Sequence, residues 1–469
     1  GACPVAKAPS RFTGTPAQAI MKLCNSILIA AASLACAVSA NAASRPHYGG
    51  ALRIAVHGST QTFDPTASDS AGLRSLTQMV FETLVKLDDR GRVQPLLATS
   101  WQVEPGNQRW RFQIRNGVIF SDGIPVDANV AAASLRLANP EWKVFALGDL
   151  VMVETSSPVP NLAAELALPR NSITRRNQGT LVGTGPFTVA QLDAAKQHLT
   201  LQANDQYWGG RPFIDSIEVD LGKNGRDQIM LMDLGKIDLV EIAPEEIRRA
   251  AAGNRVVKAS QPAELLALAF TRNAQSDDEV HLRNSLAMSI DSAALNNVVF
   301  QAAGEPSGAV LPNWLSGYGF VYPSGGAGAT RPRAPHPVTW TLSCDSTDPV
   351  ARIAADRILL NAKDVGINLQ IVNSDAADIR LVKLALPSAD SETALSELAR
   401  DFQLAAPAFT NSTVSSLYSA ESTLLQAHRL VPLIHLRSAV ALRTNIRGFK
   451  LLPDGSWQTD NVWLSSETP

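Results

Sequence analysis

The stretch from Trp110 to Val126, WRFQIRNGVIFSDGIPV, carries the pattern that governs the architecture of the chain. Apolar residues alternate with polar ones from Trp110 to Ile114, which is the period-two pattern of a strand with one buried face. Asn116-Gly117 interrupts the alternation, and a second apolar run, Val118-Ile119-Phe120, follows it. A turn-forming pair between two such runs predicts a β-hairpin.

Strands alternate with helices further along the chain. Every second residue from Val338 to Cys344 is apolar, as in a strand, and Asp348-Pro349 matches an N-cap followed by the first helical residue. Gly366 follows the apolar stripe of this helix, and another strand begins at Ile367. A helix between two strands indicates parallel pairing. Residues 278–300 predict two more helices, so the predicted fold class is α/β.

The composition is that of an ordinary globular protein. Of 469 residues, 45% are hydrophobic and 18% are charged, which excludes a disordered chain and a membrane bundle. The length suffices for two or three hydrophobic cores. The formal net charge is −2 and there is no long basic run, so we expect no nucleic-acid partner.

The N-terminal residues predict export. Lys22 precedes an uncharged segment from Leu23 to Val38, and Ala40-Asn41-Ala42 matches the small-residue signature of a signal-peptide cleavage site. We expect residues 1–42 to be removed by cleavage after Ala42, and the mature chain to reside in the periplasm. A membrane anchor is the alternative, but the uncharged run is shorter than the ~20 residues that span a bilayer.

The cysteines are placed so that an exported chain keeps one thiol. Cys3, Cys24 and Cys36 precede the cleavage site, and Cys344 remains, so no disulfide can form within the mature chain. Lipid attachment at Cys36 is a second alternative for the N-terminus. The segment lacks the usual aliphatic residue three positions before that cysteine, where Ser33 stands.

No motif in the chain indicates catalysis. None of the seven histidines lies in a His-Glu-x-x-His arrangement, and no Gly-x-Ser-x-Gly element is present. Gly183-Thr184-Gly185-Pro186 has no following Gly-Lys-Ser/Thr, which argues against a phosphate-binding loop. His428 and His435 could share one helix face, but Val431-Pro432-Leu433-Ile434 between them predicts a strand. We therefore predict no catalytic residue, no metal site and no cofactor, and we do not expect an enzyme.

Six groups of residues follow one another in a characteristic order. They are Phe63-Asp64-Pro65 with Phe81-Glu82-Thr83-Leu84; Leu97–Trp101 with Trp110–Val118 and Phe120–Val126; Gly183–Phe187 with Asn204–Pro212; Leu234–Asp238; Leu282–Asp291; and Val431–Ile434 with Arg447–Phe449. This order resembles the dipeptide, oligopeptide and nickel-binding family of extracytoplasmic solute-binding proteins of ABC importers. The resemblance extends over nearly the whole chain after residue 42.

The resemblance implies a two-lobed, periplasmic-binding-protein-like α/β fold with an extra subdomain inserted in the first lobe. By this comparison the first lobe comprises residues 44–268 and 439–469, with the inserted subdomain at about 76–182. The second lobe comprises residues 269–438, with hinges near 269–273 and 435–438. The family binds its ligand between the lobes and delivers it to the membrane subunits of an ABC permease. We expect a monomer that binds a peptide or a similar small polar solute.

Seven residues occupy positions where the family presents its ligand-binding side chains. They are Ser59, Thr60 and Gln61 in a polar loop, Trp142 and Phe145 after an Asn-Pro turn, and Trp314 and Tyr318 in the second lobe. Hydroxyl and amide groups suit a polar ligand, and aromatic side chains suit an apolar cleft wall with a polar rim. The structural alternative is a solvated loop for the first three residues and core packing for the four aromatic residues.

The chain departs from the family in its second lobe, which is short. Residues 374–411 lack the Trp/Asp/Tyr/Pro-rich loop that anchors a peptide's amino terminus, and Asp345-Ser346-Thr347-Asp348 lacks the arginine expected for a dipeptide's carboxylate. These losses leave a free dipeptide in doubt as the ligand. They motivate the alternative of a diverged interaction or sensory protein on the same scaffold, and a hydrolase is a third, unsupported alternative.

Overall fold

The computed structural model describes residues 1, 45–66, 70–252, 255–325, 333–409, 412–426 and 428–465. The expected signal peptide, its cleavage site and the three N-terminal cysteines lie outside these residues. The helices of the described residues are α1 (Ala71–Gln78), α2 (Ala128–Ala138), α3 (Leu162–Glu165), α4 (Gly225–Asp233), α5 (Ile247–Ala251), α6 (Asp277–Ser289), α7 (Ser292–Val298), α8 (Asn313–Ser316), α9 (Pro349–Asp364), α10 (Ser391–Asp401) and α11 (Val414–Gln426), with short 3-10 helices at Pro169–Asn171 and Pro244–Glu246.

The strands of the described residues fall into one large sheet and several small ones. They are β1 (Ala51–Ala55), β2 (Val85–Leu87), β3 (Val93–Pro95), β4 (Ala98–Val103), β5 (Arg109–Ile114), β6 (Lys143–Leu147), β7 (Leu150–Glu154), β8 (Arg175–Asn177), β9 (Thr180–Val182), β10 (Phe187–Asp193), β11 (His198–Ala203), β12 (Ser216–Asp220), β13 (Leu239–Ile242), β14 (Val256–Phe270), β15 (Gly304–Pro306), β16 (Val338–Ser343), β17 (Ile367–Ile371), β18 (Ile379–Ala385), β19 (Leu430–Leu442), β20 (Ile446–Arg447), β21 (Lys450–Leu451), β22 (Trp457–Gln458) and β23 (Trp463–Leu464).

The large sheet has the order β10-β11-β12-β1-β13-β19-β14-β18-β16-β17, with β15 paired to β19. Strand β1 is parallel to β12 and β13, and β16 is parallel to β17 and β18. The long strands β14 and β19 lie between these two parallel groups and are antiparallel to their neighbours. We call the part built on β1, β12 and β13 the first lobe and the part built on β16, β17 and β18 the second lobe.

Separate hydrophobic cores support the lobes. Leu52 and Ile217 belong to the core of the first lobe, and Leu266 and Ile358 belong to a core on one face of the second-lobe sheet. The four-stranded sheet β4-β5-β7-β6 has a core of its own around Phe112. This third core is drawn from residues 84–173, inside the range 76–182 that we expected for an inserted subdomain.

The predicted β-α-β unit is confirmed. Strands β16 and β17 pair in parallel with Val338 opposite Ile367, and α9 connects them. The Asp348 carboxylate caps this helix by accepting hydrogen bonds from the amides of Val350 and Ala351 at 2.8 and 3.2 Å. The predicted strand between His428 and His435 is also confirmed as the first part of β19.

The predicted hairpin around Asn116-Gly117 is wrong. Strand β5 pairs with β4 on one side and with β7 on the other, so neither of its edges is available to the following segment. Instead, the amide of Phe120 donates to the carbonyl of Ile124 at 2.8 Å, across a turn at Asp122-Gly123. The chain therefore reverses at the second turn-forming pair rather than the first.

A buried carboxylate in the first lobe joins three of the sequence segments quoted above, Phe81–Leu84, Gly183–Phe187 and Asn204–Pro212. Glu82 is 5% exposed. Its Oε1 accepts a hydrogen bond from the Tyr207 hydroxyl at 2.8 Å, and its Oε2 accepts from Trp208 Nε1 at 2.9 Å and from the Thr184 hydroxyl at 2.7 Å. Burial raises the pKa of Glu82, and the three hydrogen bonds oppose that shift.

Close backbone packing requires the two glycines of the segment Gly183–Phe187. A Cβ on Gly183 would lie 2.0 Å from the carbonyl oxygen of Val80, and a Cβ on Gly185 would lie 2.3 Å from that of Met79. Both distances are below any normal contact, so these positions accept no side chain. The glycines thereby let Thr184 approach the Glu82 carboxylate.

We expect Glu82→Ala to lower the free energy of unfolding by about 3 kcal/mol, because three donors lose a buried acceptor. Glu82→Gln keeps one acceptor oxygen and should cost less. Urea unfolding of the two variants and the parent chain measures both effects. Equal stability of Glu82→Ala and the parent would show that the network contributes nothing.

Candidate functional site

The ends of the parallel strands mark the region where a ligand would bind. In the first lobe β1, β12 and β13 end at Ala55, Asp220 and Ile242, and in the second lobe β16 and β18 end at Ser343 and Ala385. The carboxyl ends of parallel strands form the binding edge of open α/β sheets. In this molecule two such edges exist, one in each lobe.

Lys383 lies at the binding edge of the second lobe. It is opposite Leu266 in the pairing of β18 with β14. Leu266 and Leu381 are buried in the core on this face of the sheet, whereas Lys383 is exposed. The face therefore changes from apolar to charged where the strand leaves the core.

Carboxylates from both lobes act electrostatically on Lys383. Glu264 raises its pKa most strongly, burial opposes the shift, and Asp348, Glu245 and Glu241 raise it further. Glu241 lies near the end of β13 in the first lobe and Glu245 follows that strand, so charges of both lobes influence Lys383. We call these five residues the interlobe cluster. Among the described residues, none forms a hydrogen bond or ion pair with the Lys383 ammonium.

Two members of the cluster are held by neighbouring groups. Glu241 Oε2 accepts the backbone amide of His57 at 2.6 Å and lies 2.8 Å from His57 Nδ1. Glu264 Oε1 accepts the Ser438 hydroxyl at 3.0 Å. The cluster thus draws on β13, β14 and β19 as well as on β18, and its geometry depends on how the two lobes meet.

The passage between the lobes is irregular in β14. Its register against β19 shifts between Ala259 and Pro262 and again before Glu264. The Ser260 hydroxyl accepts the amide of Ser438 at 3.1 Å, and the Ser260 carbonyl accepts Arg437 Nη1 at 3.0 Å. Side-chain and main-chain bonds of Ser260 therefore replace the ladder bonds that the bulge interrupts.

The two expected hinge segments have different surroundings. Residues 435–438 include the positions opposite the irregular part of β14. Residues 269–273 begin at the other end of that strand, where Phe270 pairs with Ile379 inside the second lobe.

Of the predicted ligand residues, Ser59, Thr60 and Gln61 lie in the loop after β1, at the binding edge of the first lobe. Ser59 and Gln61 are exposed. The carbonyl of Thr60 accepts Gln197 Nε2 at 3.4 Å. The structure therefore places this loop directly after the end of β1, and its role in ligand binding stays a prediction.

Trp142 and Phe145 belong to the separate four-stranded sheet region. Trp142 is 9% exposed and lies in the core of that region. Phe145 is half-buried on β6, and the Lys143 ammonium lies 5.4 Å from its ring centroid. The structure accounts for both aromatic residues by local packing and does not bring them together with the Ser59 loop.

Trp314 and Tyr318 pack against the other face of the second-lobe sheet. Trp314 Nε1 donates to the carbonyl of Pro262 at 2.7 Å, which ties α8 to the irregular passage of β14. The Tyr318 hydroxyl donates to the buried carboxylate of Glu421 at 2.5 Å. These contacts describe anchoring of the loop 312–322, with Trp314 the nearer of the two to the passage between lobes.

Sequence reasoning missed Lys383, Glu245 and Glu264. A signal for two of them was present, because Lys383 continues the alternation of Ile379 and Leu381 and Glu264 continues that of Leu268 and Leu266. A charge at a core-facing position of a strand is expensive unless the position leaves the core. The strand pattern therefore marks Lys383 and Glu264 as charged residues at core-facing positions. It does not indicate which residues of the other lobe interact with them.

Helix α10 makes a second contact between the lobes. Arg170 Nη2 pairs with Glu165 at 2.8 Å in the first lobe, and its Nη1 pairs with Glu397 of α10. Arg400 Nη2 lies 3.2 Å from Glu397 and 3.9 Å from Glu165. Burial raises the pKa of Glu165, and the positive charge of Arg170 opposes this rise. Arg170 is therefore the central cation of a partly buried group of charges.

A groove of about 820 Å³ lies elsewhere, within the second lobe. It is lined by the segment 403–408 and by hydroxyl side chains of α11 such as Ser419 and Thr423. Both walls belong to one lobe, so closure of the two lobes would not enclose a solute there. The interlobe cluster is therefore the better candidate.

The family model for bacterial extracellular solute-binding proteins, family 5 (middle region), matches residues 92–424. The chain belongs to the family 5 bacterial extracellular solute-binding proteins. In the described part of the chain, no helix has the length and apolar character needed to cross a membrane. The described residues also bring no three His, Cys, Asp or Glu side chains into a metal-binding arrangement.

Relatives of this family 5 protein include two nickel-binding proteins. The nickel-binding periplasmic protein of Escherichia coli (strain K12) is 25% identical over 354 residues, which are 64% of this chain and 67% of that protein. The nickel-binding protein NikA of Staphylococcus aureus is 23% identical over 243 residues, 48% of this chain and 49% of that protein. The chain thus spans between half and two thirds of the length of these relatives.

Solved structures confirm the predicted two-lobed α/β fold. A crystal structure of NikA from Staphylococcus aureus with Ni(L-His)2 has a TM-score of 0.74 at 17% identity, covering 88% of this chain and 100% of that one. The dipeptide-binding protein of Pseudoalteromonas sp. SM9913 with Met-Leu has a TM-score of 0.73 at 16% identity, covering 89% and 100%.

We expect Arg170→Met to loosen the contact of α10 with the first lobe, because Glu165 and Glu397 would share only the more exposed Arg400 as a cation. The local opening free energy should fall on the order of 2 kcal/mol. Hydrogen exchange of α10 amides measures this. Arg176→Met, at an exposed arginine that bonds the Gly179 carbonyl, is the control and should leave α10 unchanged.

His435 predicts an acid dependence of stability. It is buried, its Nε2 lies 3.1 Å from the Ala309 carbonyl, and burial lowers its pKa to about 4. In the unfolded chain this histidine takes up a proton near pH 6.5, whereas in the folded chain it stays neutral down to about pH 4. The free energy of unfolding therefore decreases as the pH falls from about 6.5 towards 4.

His435→Gln should remove about 3 kcal/mol of this pH dependence, while its amide can still donate to Ala309. The measurement is urea unfolding of both chains at several pH values from 7 to 4. Parallel pH profiles of variant and parent would contradict the assignment to His435.

Proposed function

We propose that this chain is an extracytoplasmic receptor that binds a small polar solute between its lobes and delivers it to the permease of an ABC importer. The observation that carries the proposal is the interlobe cluster, in which Lys383 at the binding edge of one lobe interacts electrostatically with Glu241 and Glu245 of the other. A solute there would contact both binding edges at once. The solute would bind the closed arrangement of the lobes more tightly than the open one, so binding would shift the population towards the closed arrangement.

Family membership and the relatives support this proposal. The names of the relatives report binding of nickel, of Ni(L-His)2 and of the dipeptide Met-Leu. A peptide or a similarly sized polar solute is therefore the class of ligand that we propose here. We further propose that the receptor is periplasmic and monomeric, performs no catalysis and binds no nucleic acid.

We propose that the lobes move about the irregular passage of β14, residues 260–263, with 435–438 opposite it. The register shifts at Pro262 mean that fewer ladder bonds resist bending there than elsewhere along the two strands. The loop of Ser59, Thr60 and Gln61 would supply hydrogen bonds from the first lobe. Trp314 is hydrogen-bonded to the Pro262 carbonyl, so its surroundings would change when the lobes close.

The proposed receptor function is tested by thermal unfolding of the chain in the presence of Met-Leu, of Ni(L-His)2 and of the small-molecule fraction of yeast extract. A ligand at one hundred times its Kd stabilises the folded state by about 2.7 kcal/mol. Small-angle X-ray scattering should show a smaller radius of gyration with the stabilising solute. No stabilisation by any of these samples would contradict the proposed function.

The role of the interlobe cluster is tested by Lys383→Met. We expect it to weaken solute binding by about tenfold or more, because a charge that contacts the solute is lost. Lys363→Met, at an exposed lysine in the last turn of α9, is the matched control and should bind like the parent. Equal binding by both variants would place the solute away from Lys383.

A further inference from the structure

The groove within the second lobe, about 820 Å³ in volume, lies between residues 403–408 and helix α11. Sites that hold ligands commonly have volumes of about 300–1,000 Å³. Both walls of the groove belong to one lobe, so its shape does not depend on how the two lobes are arranged. The proposed delivery of a solute bound between the lobes leaves this groove without a role.

The first wall of the groove presents exposed main chain. Residues 404–409 run without helix, strand, turn or bend. Ala405, Ala406 and Ala408 are exposed, and within the described part of the chain their amides donate no hydrogen bond. The wall therefore offers main-chain donors beside small side chains that do not obstruct a partner.

Both ends of this main-chain wall are anchored. The amide of Leu404 donates to the carbonyl of Ala399 in α10 at 2.8 Å. At the other end Phe409 is buried in a core of the second lobe that also contains Leu417 of α11. A partner would therefore meet a segment that is already positioned, which lowers the entropy cost of binding.

The opposite wall presents hydroxyl groups of α11. The hydroxyls of Ser419 and Thr423 are exposed and donate to the carbonyls four residues earlier in the helix, at 3.0 and 2.9 Å. Because their protons are used within the helix, their oxygen lone pairs remain as acceptors. The donors of one wall and the acceptors of the other match the hydrogen-bonding groups of a peptide main chain.

The described residues that line the groove include no ionisable side chain. Asn273 and Gln403 add neutral amides to the hydroxyl groups of α11. Leu404, Ala420 and Leu424 supply apolar surface. A charged group that entered the groove would lose part of its hydration without meeting an opposite charge on these residues. The lining therefore favours an uncharged occupant.

We infer that this groove binds an uncharged, extended segment of a partner protein. The segment pairs its main chain with residues 405–408, in the way that a strand adds to an exposed edge. The hydroxyl oxygens of Ser419 and Thr423 accept hydrogen bonds from the other side of the same segment. This interaction is a second binding activity of the chain, separate from the solute site and from Lys383.

The inference is tested with capped hexapeptides composed of Ala, Ser, Thr, Val and Asn, each carrying a neutral dye. Matched peptides have Lys or Asp at the two central positions. Fluorescence anisotropy with the full chain should show binding by uncharged peptides and binding weaker by about tenfold or more for their charged counterparts. Equal binding by the two sets, or binding by neither, overturns the inference. Binding of maltotriose in a calorimetric titration, with no peptide bound, indicates a sugar site and also overturns it.

Hydrogen exchange of the chain with and without the tightest peptide locates the contact. The amides of Ala405, Ala406 and Ala408 are exposed in the free chain and should exchange about tenfold more slowly, or slower still, when the peptide is bound. Unchanged exchange throughout residues 403–408 in the presence of bound peptide contradicts the proposed pairing.

Variants assign the peptide to the groove. Ala406→Pro removes one donor, and Ser419→Trp fills the space between the walls, so each should weaken peptide binding by about tenfold or more. The fold should accept the proline, because the Ala406 amide bonds no described residue. Gln426→Trp, at an exposed position of α11 outside the groove, is the matched control and should bind like the parent. Unfolding temperatures establish that the variants are folded, and Ser419→Trp decides the test if Ala406→Pro is not.

Lys383→Met separates the groove from the site between the lobes. Lys383 does not line the groove, so this variant should bind the peptides like the parent. Peptide binding that falls with Lys383→Met and not with Ser419→Trp places the peptide between the lobes, which overturns the inference and supports the receptor function. Peptide binding that falls only with the groove variants supports the inference, even if no solute stabilises the chain and the receptor function fails.

Discussion

The continuous ladder between β14 and β19 is the constraint on which the arrangement of this molecule depends. Near one end it joins Val256 to Leu442 beside the first-lobe sheet, and near the other it joins Ala269 to Leu430 inside the second lobe. Because both strands pass through both lobes, the two parallel groups become parts of one sheet with their binding edges brought towards each other. Two of the register shifts in this ladder flank Pro262, so regular hydrogen bonding is interrupted there.

The first lobe keeps its shape through a polar contact within an apolar core. Glu82 is the shared acceptor for Thr184, Tyr207 and Trp208, which follow it by 102, 125 and 126 positions in the sequence. A buried carboxylate is tolerated when its oxygens are fully engaged by donors. This explains why the motifs around these residues occur together, as parts of one buried network.

Charged contacts between the lobes are of two kinds. At α10, Arg170 and Arg400 are directly paired with Glu165 and Glu397, and the contact is complete without a solute. At the interlobe cluster, Lys383 and its surrounding carboxylates interact without direct pairing. The first arrangement connects the lobes through direct ion pairs, whereas the second leaves the Lys383 ammonium without a direct partner among the described residues.

The sequence by itself determined the fold class, the β-α-β unit of β16, α9 and β17 and the family, because strand alternation, an N-cap and ordered motifs are local signals. It failed at the hairpin after β5, since the identity of a strand's partners depends on which edges other segments occupy. It could not show that Lys383 and Glu245 interact electrostatically, because these residues lie on different lobes and approach each other only when β14 and β19 have paired. Only the tertiary structure decided which charged residues form the interlobe cluster, because charges distant in the chain interact only when the folded lobes bring them together.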